Sequence, residues 1–265
     1  MEYGCIGEHL KHSFSKEIHN ALADYNYEIL ELERENLKDF FEKRDFKAIN
    51  VTIPYKQEII PFLDEISPEA QSINAVNTVV NRNGKLYGYN TDFYGLKALI
   101  ERENVSLKDK KVLVLGSGGT SNTAVAVSEF LGAKAVVKVS RQAKDGYVTY
   151  ADAYKKYTDF EIIINTTPCG MFPNIGSSAV DLKRFTSLEA VFDAVYNPLK
   201  SKLICDAEDM GVVSTGGLYM LVSQAVYAVE KFIDTPVDNE KVENVFRNLY
   251  KNKMRTGSCI PVLIS

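Results

Sequence analysis

Two short blocks in the first hundred residues carry side chains suited to moving a proton. In NVTIPYK (Asn50 to Lys56) an apolar run ends at a proline, and a lysine follows two positions later. Pro54 suits the first position of a helix, because its φ is already set and its missing N–H is not needed there. The spacing therefore places Lys56 in a first helical turn, where the dipole disfavours a cation and eases loss of its proton. A lysine so placed can give a proton to an alcohol oxygen or take one from it, although a solvated surface lysine is the plainer reading. In YNTDFYG (Tyr89 to Gly95), Thr91 and Asp92 stand just ahead of an apolar helical pattern. Either residue can simply cap that helix. A carboxylate close to a lysine can also hold a substrate hydroxyl, orient the ammonium and relay its proton. In HSFSKEIHN (His12 to Asn20), Ser13 and Ser15 precede a helix; Ser15 caps it, or the two hydroxyls together bind a carboxylate.

A different chemistry is written at VLVLGSGGTSNTA (Val112 to Ala124), where Gly116, Ser117, Gly118, Gly119 and Thr120 join an apolar run to a helical one. Glycines there allow a tight turn and close approach of a pyrophosphate, and the helix start adds free N–H groups. Ser121 occupies the place of the third glycine in the dinucleotide fingerprint, so a bare strand-to-helix turn is the alternative. The next strand ends in Val139-Ser140-Arg141-Gln142, with Lys144 beyond. No acid is present for a ribose 2′-OH, whereas Arg141 and Lys144 suit a 2′-phosphate, which points to NADP; an exposed arginine after a strand is the alternative.

These groups need two scaffolds. Helical patterns run from Lys16 to Tyr25, Leu37 to Arg44 and Phe93 to Asn104, and strand patterns from Tyr27 to Leu32, Ala48 to Ile53 and Ala75 to Asn81. Asn83-Gly84 predicts a tight hairpin that delivers the chain to Asn90. After a polar link at 106–110, strands are expected at Val112 to Leu115, Ala135 to Val139, Glu161 to Asn165 and Ala190 to Val195, alternating with helices as a parallel sheet requires. From Gly217 a helical stripe of Leu218, Leu221, Val222, Ala225, Val226 and Val229 leads to a second with Val242, Val245, Phe246 and Leu249. The expected fold is α/β: a substrate-binding domain at 1–101 joined by returning C-terminal helices at 218–265, and a Rossmann-like NADP-binding domain at 102–217.

The bulk numbers agree and exclude other classes. A chain of 265 residues with 45% hydrophobic and 25% charged residues builds ordinary packed cores rather than disorder. A net charge of -4, with no dense basic run, argues against nucleic acid. Cys5, Cys169, Cys205 and Cys259 lie far apart and show no metal-ligand spacing, so reduced thiols and no metal are expected. Neither an apolar leader nor a stretch of about 20 apolar residues appears, so a cytoplasmic chain away from membranes is expected, as a monomer or homodimer.

Taken in order, HSFS, NVTIPYK, INAVNT (Ile73 to Thr78), GYNTD, the glycine turn, NTTPCGM (Asn165 to Met171), DAVYNP (Asp193 to Pro198) and GLYMLVSQA (Gly217 to Ala225) resemble the shikimate dehydrogenase family along nearly the whole chain. The resemblance implies reversible NADP-dependent reduction of 3-dehydroshikimate to shikimate, on the route to chorismate and aromatic amino acids. It implies that Lys56 is the catalytic acid/base with Asp92 as partner, that Ser13 and Ser15 hold the substrate carboxylate, and that Thr52, Asn77, Tyr196 and Gln224 complete a polar cage. For the cofactor it implies Gly116 to Thr120 at the pyrophosphate, Ser140, Arg141 and Lys144 at the 2′-phosphate end, and Thr166, Ala194 and Gly217 beside the nicotinamide. Lys16, Asn122, Ser140 and Gln142 depart from the family's usual residues. Quinate or aminated shikimate as substrate, a methylenetetrahydrofolate dehydrogenase-like enzyme, and a non-catalytic NADP-binding module are the other readings; HSFS and GYNTD speak against the second.

Overall fold

The computed structural model describes residues 1–8, 10, 14–143 and 146–255. It divides into two compact units, Met1–Gly95 with Val222–Val245, and Leu96–Leu221 with the chain from Phe246 onward. The first half runs β1 (Tyr3–Gly7), α1 (Ser15–Leu22), β2 (Tyr27–Glu31), α2 (Leu37–Lys43), β3 (Ala48–Val51), β4 (Glu65–Ile66), α3 (Pro68–Ile73), β5 (Thr78–Arg82), β6 (Lys85–Tyr89) and α4 (Thr91–Arg102). Among the described residues its strands form one six-stranded sheet in the order β2-β1-β3-β5-β6-β4. β1 pairs parallel with β2 and β3, while β5 is antiparallel to both β3 and β6. Asn83 and Gly84 take φ of 54° and 84°, as a two-residue hairpin turn demands, and Asn81 Oδ1 accepts from the Gly84 N–H at 2.8 Å.

The second half runs β7 (Lys111–Leu115), α5 (Gly119–Phe130), β8 (Ala135–Ser140), β9 (Tyr147–Thr149), α6 (Tyr150–Lys156), β10 (Ile162–Asn165), β11 (Ala190–Asp193), α7 (Lys202–Asp209), β12 (Val213–Thr215), α8 (Leu218–Ile233) and α9 (Asn239–Arg255). Its six strands are ordered β12-β11-β10-β7-β8-β9, every pair parallel. This is the doubly wound order, whose switch point lies between β7 and β10. The central strands are continuous apolar runs because helices cover both faces of such a sheet: every residue of β10 and β11 is buried. Ala228 and Phe232 of α8 pack with Cys5, Tyr27, Ala48 and Val80, which covers one face of the first sheet.

The expected helix opening at Pro54 is absent. The segment after β3 is a succession of turns around the cis Ile53–Pro54 bond, followed by a 3₁₀ turn at Ile60–Phe62. The Lys56 carbonyl accepts from the Val76 N–H at 2.8 Å, so the backbone that a helix would use is committed to a distant segment. Periodicity also does not mark β1, α3, α6 or α7, which are short or lack a clean stripe.

Candidate active site

Lys56 Nζ lies 2.6 Å from Asp92 Oδ2, the ammonium side chain 28% and the carboxylate 19% exposed. The pair is sheltered yet open to a ligand. The helix-dipole argument for Lys56 does not apply, since no helix begins at Pro54; the partner carboxylate takes its place. Neither Thr91 nor Asp92 caps α4. Asn90 does, its Oδ1 accepting from the Phe93 N–H at 3.2 Å while its Nδ2 donates to the Ala75 carbonyl at 2.9 Å. Asp92 is thereby released from capping and turned to Lys56.

Next to the pair lies a buried polar network that ties together α1, β2, β3, β5 and α4. Asn77 Oδ1 accepts from the Thr91 N–H at 2.7 Å and from the Thr78 and Thr91 hydroxyls at 3.1 and 3.2 Å. Its Nδ2 makes no hydrogen bond among the described residues, which leaves that donor for a ligand oxygen. Asn50 Nδ2 donates to the Thr78 hydroxyl at 3.0 Å, and Asn50 Oδ1 accepts from the Tyr27 hydroxyl at 2.7 Å. Tyr27 in turn shares a hydrogen bond with Ser15. Ser15 is the first residue of α1 and not its cap, a place held by Phe14 without a side-chain bond. His19, one turn on, is 1% exposed, and burial takes its imidazole down to about 3, so the ring is neutral. Thr52 follows β3, its N–H donating to the Ile6 carbonyl at 3.0 Å. Gln224 lies half-buried in the second turn of α8.

In the other unit the glycine turn follows β7. Gly116 takes φ of +121°, and a Cβ there would meet Thr166 Oγ1 at 2.5 Å, so only glycine fits. At Gly118 and Gly119 a Cβ would meet nothing within 4 Å. Open space over the turn and the N–H groups at the start of α5 fit a diphosphate. Ser117, Gly118 and Gly119 are exposed and Thr120 half-buried. Ser121, where the fingerprint has glycine, is fully buried and its hydroxyl donates to the Gly118 carbonyl at 2.7 Å. Arg141 is exposed just beyond β8, and the Ser140 hydroxyl donates to the Gln142 carbonyl. Thr166 follows β10, beside β7 at the switch point, and its hydroxyl donates to the Leu115 carbonyl at 2.6 Å. Gly217 lies against the Ala194 carbonyl, which an added Cβ would meet at 2.3 Å. Tyr196 has its pKa raised by burial, with Lys253 Nζ 5.4 Å from its ring centroid.

Ser13, Lys144 and Cys259 lie outside the described residues. Among the described residues no group of side chains is arranged to hold a metal ion, and no helix is long and apolar enough to cross a membrane. Sequence reading passed over the supporting residues Tyr27, Asn50, Thr78, Asn90, Asn165 and Asp193. Their signal was present, since all but Tyr27 lie inside the quoted blocks, but buried amides and hydroxyls declare themselves only through their partners.

The profile of the shikimate dehydrogenase substrate binding domain matches residues 5–79. A shikimate dehydrogenase (NADP(+)) of Clostridium perfringens is 38% identical over 271 residues, covering 93% of this chain and 97% of its own. The crystal structure of a chorismate mutase/shikimate 5-dehydrogenase fusion protein from Clostridium acetobutylicum superposes with a TM-score of 0.89 at 33% identity, covering 95% of this chain and 98% of that one. A shikimate 5-dehydrogenase from Thermus thermophilus in complex with NADP(H) and shikimate superposes with a TM-score of 0.81 at 26% identity, covering 94% and 99%. With matched blocks, a doubly wound sheet, a Lys–Asp pair and relatives aligned over nearly their full length, the chain belongs to the shikimate dehydrogenase family.

Proposed function

We propose that the chain catalyses the reversible, NADP-dependent interconversion of 3-dehydroshikimate and shikimate. The observation that carries this is the Lys56–Asp92 pair, with Asp92 freed for it by the Asn90 cap. When bound, NADPH supplies the hydride for the substrate carbonyl carbon. The Lys56 ammonium gives its proton to the carbonyl oxygen as that oxygen becomes a hydroxyl, and in the reverse direction the neutral amine takes it back. Asp92 holds the ammonium at 2.6 Å and accepts from a neighbouring ring hydroxyl. Ser13 and Ser15 receive the carboxylate, Ser15 being set by Tyr27. Asn77 presents its Nδ2, because Thr78 and Thr91 occupy its oxygen; Thr52, Tyr196 and Gln224 complete the cage. Such a site rejects analogues that lack a hydroxyl, since its own polar groups would be left unpaired.

Residues 1–101 with 218–265 bind the substrate, and 102–217 the cofactor. Gly116, Ser117, Gly118, Gly119 and Thr120 hold the diphosphate, Ser140, Arg141 and Lys144 the 2′-phosphate end, and Thr166, Ala194 and Gly217 the nicotinamide side. The setting is cytoplasmic, a reading supported by the free thiols of Cys5, Cys169 and Cys205, and the state is monomer or homodimer. Following NADPH absorbance with shikimate and with quinate, each with NADP and with NAD, tests the assignment. Turnover of shikimate with NADP is expected; quinate as the better substrate, or no turnover with either, would overturn it.

A further inference from the structure

Strand β11 ends on a carboxylate that the proposed chemistry does not use. Asp193 is fully buried, and donors from three places in the chain converge on it. Asn165 Nδ2, at the end of β10, donates to Oδ1 at 2.8 Å. The Val195 N–H donates to the same oxygen at 3.0 Å, and the Ser201 hydroxyl, which also caps α7, donates to Oδ2 at 2.5 Å.

Asn165 ends β10, while Val195 and Ser201 belong to the chain between β11 and α7. Asn165 Oδ1 accepts from the Thr167 N–H at 3.1 Å and the Thr167 hydroxyl at 2.7 Å, which folds the loop after β10 and sets Thr166 between them. Val195 belongs to the loop after β11, and its carbonyl accepts from the Gly217 N–H at 2.9 Å. A Cβ at Gly216 would lie 2.6 Å from the Leu199 carbonyl, so two glycines close this loop from above without room for a side chain. The backbone at Thr166, Ala194 and Gly217 therefore takes its shape against one side chain.

We propose that Asp193 is a positioning residue of the dinucleotide site: its carboxylate holds the loops of Thr166, Ala194 and Gly217 in the shape that receives the nicotinamide end, without touching the cofactor. This rests on the NADP-dependent reading above. A carboxylate only accepts, so every donor must point inward, and no loop can turn over without leaving a buried donor unpaired. Burial pushes this carboxyl up to about 6, opposed by Ser201, the Val195 N–H and Asn165, none of them charged. An ion kept at a junction of ligand-facing loops against that burial is retained for geometry rather than for stability.

The test is Asp193→Asn in the full-length chain, with NADPH binding measured by calorimetry beside shikimate binding, KM, kcat and the thermal melt. Asparagine keeps the shape but turns a donor toward one of the three incoming donors. We expect NADPH to bind about tenfold more weakly, the size of one lost charge-assisted hydrogen bond. KM for NADP should rise more than kcat falls, with shikimate affinity unchanged and a melting temperature at neutral pH no lower than wild type. Equal NADPH affinity in the variant overturns the proposal, as does a matching loss of shikimate affinity with a lower melting temperature, which would make Asp193 a residue of the fold alone. Should Asp193→Asn not fold, Ser201→Ala decides through NADPH against shikimate affinity alone, since it removes one donor and leaves the carboxylate but also removes the cap of α7 and so lowers the melt for a separate reason. A wild-type chain that binds no NADPH overturns the dinucleotide reading itself, and this inference with it.

Discussion

Lowering the pH from 7 to 5 should destabilise the substrate unit through one residue, His19. Its ring stacks on Tyr27 at 4.0 Å between centroids, lies 5.5 Å from Phe232, and bonds through Nδ1 to the Tyr25 hydroxyl at 2.7 Å. Burial lowers its pKa to about 3, against 6.5 for a free imidazole. Because the folded value is depressed, the unfolded chain takes up the proton first. Stability is intact above pH 6.5 and lost as pH falls toward 3. A gap of about 3.5 units at about 1.36 kcal/mol each corresponds to about 5 kcal/mol in full, of which about 2 kcal/mol is lost between pH 7 and pH 5. The chain has no tryptophan and 15 tyrosines, so urea unfolding followed by tyrosine near-ultraviolet dichroism reports on this cluster. His19→Gln is less stable at both pH values because it loses the stacked ring, but its stability should fall by about 2 kcal/mol less than wild type over the same interval. Equal losses in the two proteins, or a His19 NMR resonance titrating near 6.5, would refute the reasoning. Tyr27, under this ring, also holds Ser15 and Asn50. Acid should therefore weaken shikimate binding before it unfolds the chain.

Other perturbations separate chemistry from fold. Lys56→Ala should lower kcat by about 10²–10⁴-fold, the span of general acid–base catalysis, in a chain that still melts cooperatively as a folded protein. Asp92→Asn should lower kcat with a smaller effect on KM for NADP, measured by steady-state kinetics. Gly118→Val should abolish NADPH binding by calorimetry while leaving the melt unchanged: a Cβ there meets nothing within 4 Å, and what it fills is the space above the turn. Arg141→Ala should raise KM for NADP by about tenfold or more and leave KM for NAD unchanged, since only the 2′-phosphate needs the guanidinium. A fall in both affinities would assign Arg141 to the adenosine instead.

Much of the fold was readable from residue types. The runs at Val112 to Leu115, Glu161 to Asn165 and Ala190 to Val195 announce central parallel strands, because a sheet covered on both faces leaves no polar alternation. Asn83-Gly84 announces its hairpin through two residues tolerant of positive φ. The glycine turn is equally local: Gly116 needs its φ of +121°, and Gly118 and Gly119 border open space in which a Cβ would meet nothing within 4 Å. Where local rules misled, a long-range bond prevailed. Pro54 satisfies the rule for a helix start, yet the carbonyl two residues on is claimed by Val76. Asp92 satisfies the rule for a cap, yet Asn90 reaches the same backbone first.

Residue types and their spacing singled out Lys56, Ser15 and the glycines as candidates beside plainer structural readings, and Asp92 stood above a helix cap only through the family resemblance. What they could not state is which groups are near one another. Lys56 and Asp92 are 36 residues apart in sequence and 2.6 Å apart in space. That distance follows from β3, β5 and β6 being neighbours and from the turn segment after β3 pairing with the approach to β5. The same holds for Asp193, an acid like any other until Asn165, Val195 and Ser201 close around it. Sequence carries local geometry and chemical identity; hydrogen-bond satisfaction in a buried site is a property of the whole packed chain, and that decided which residues support the site.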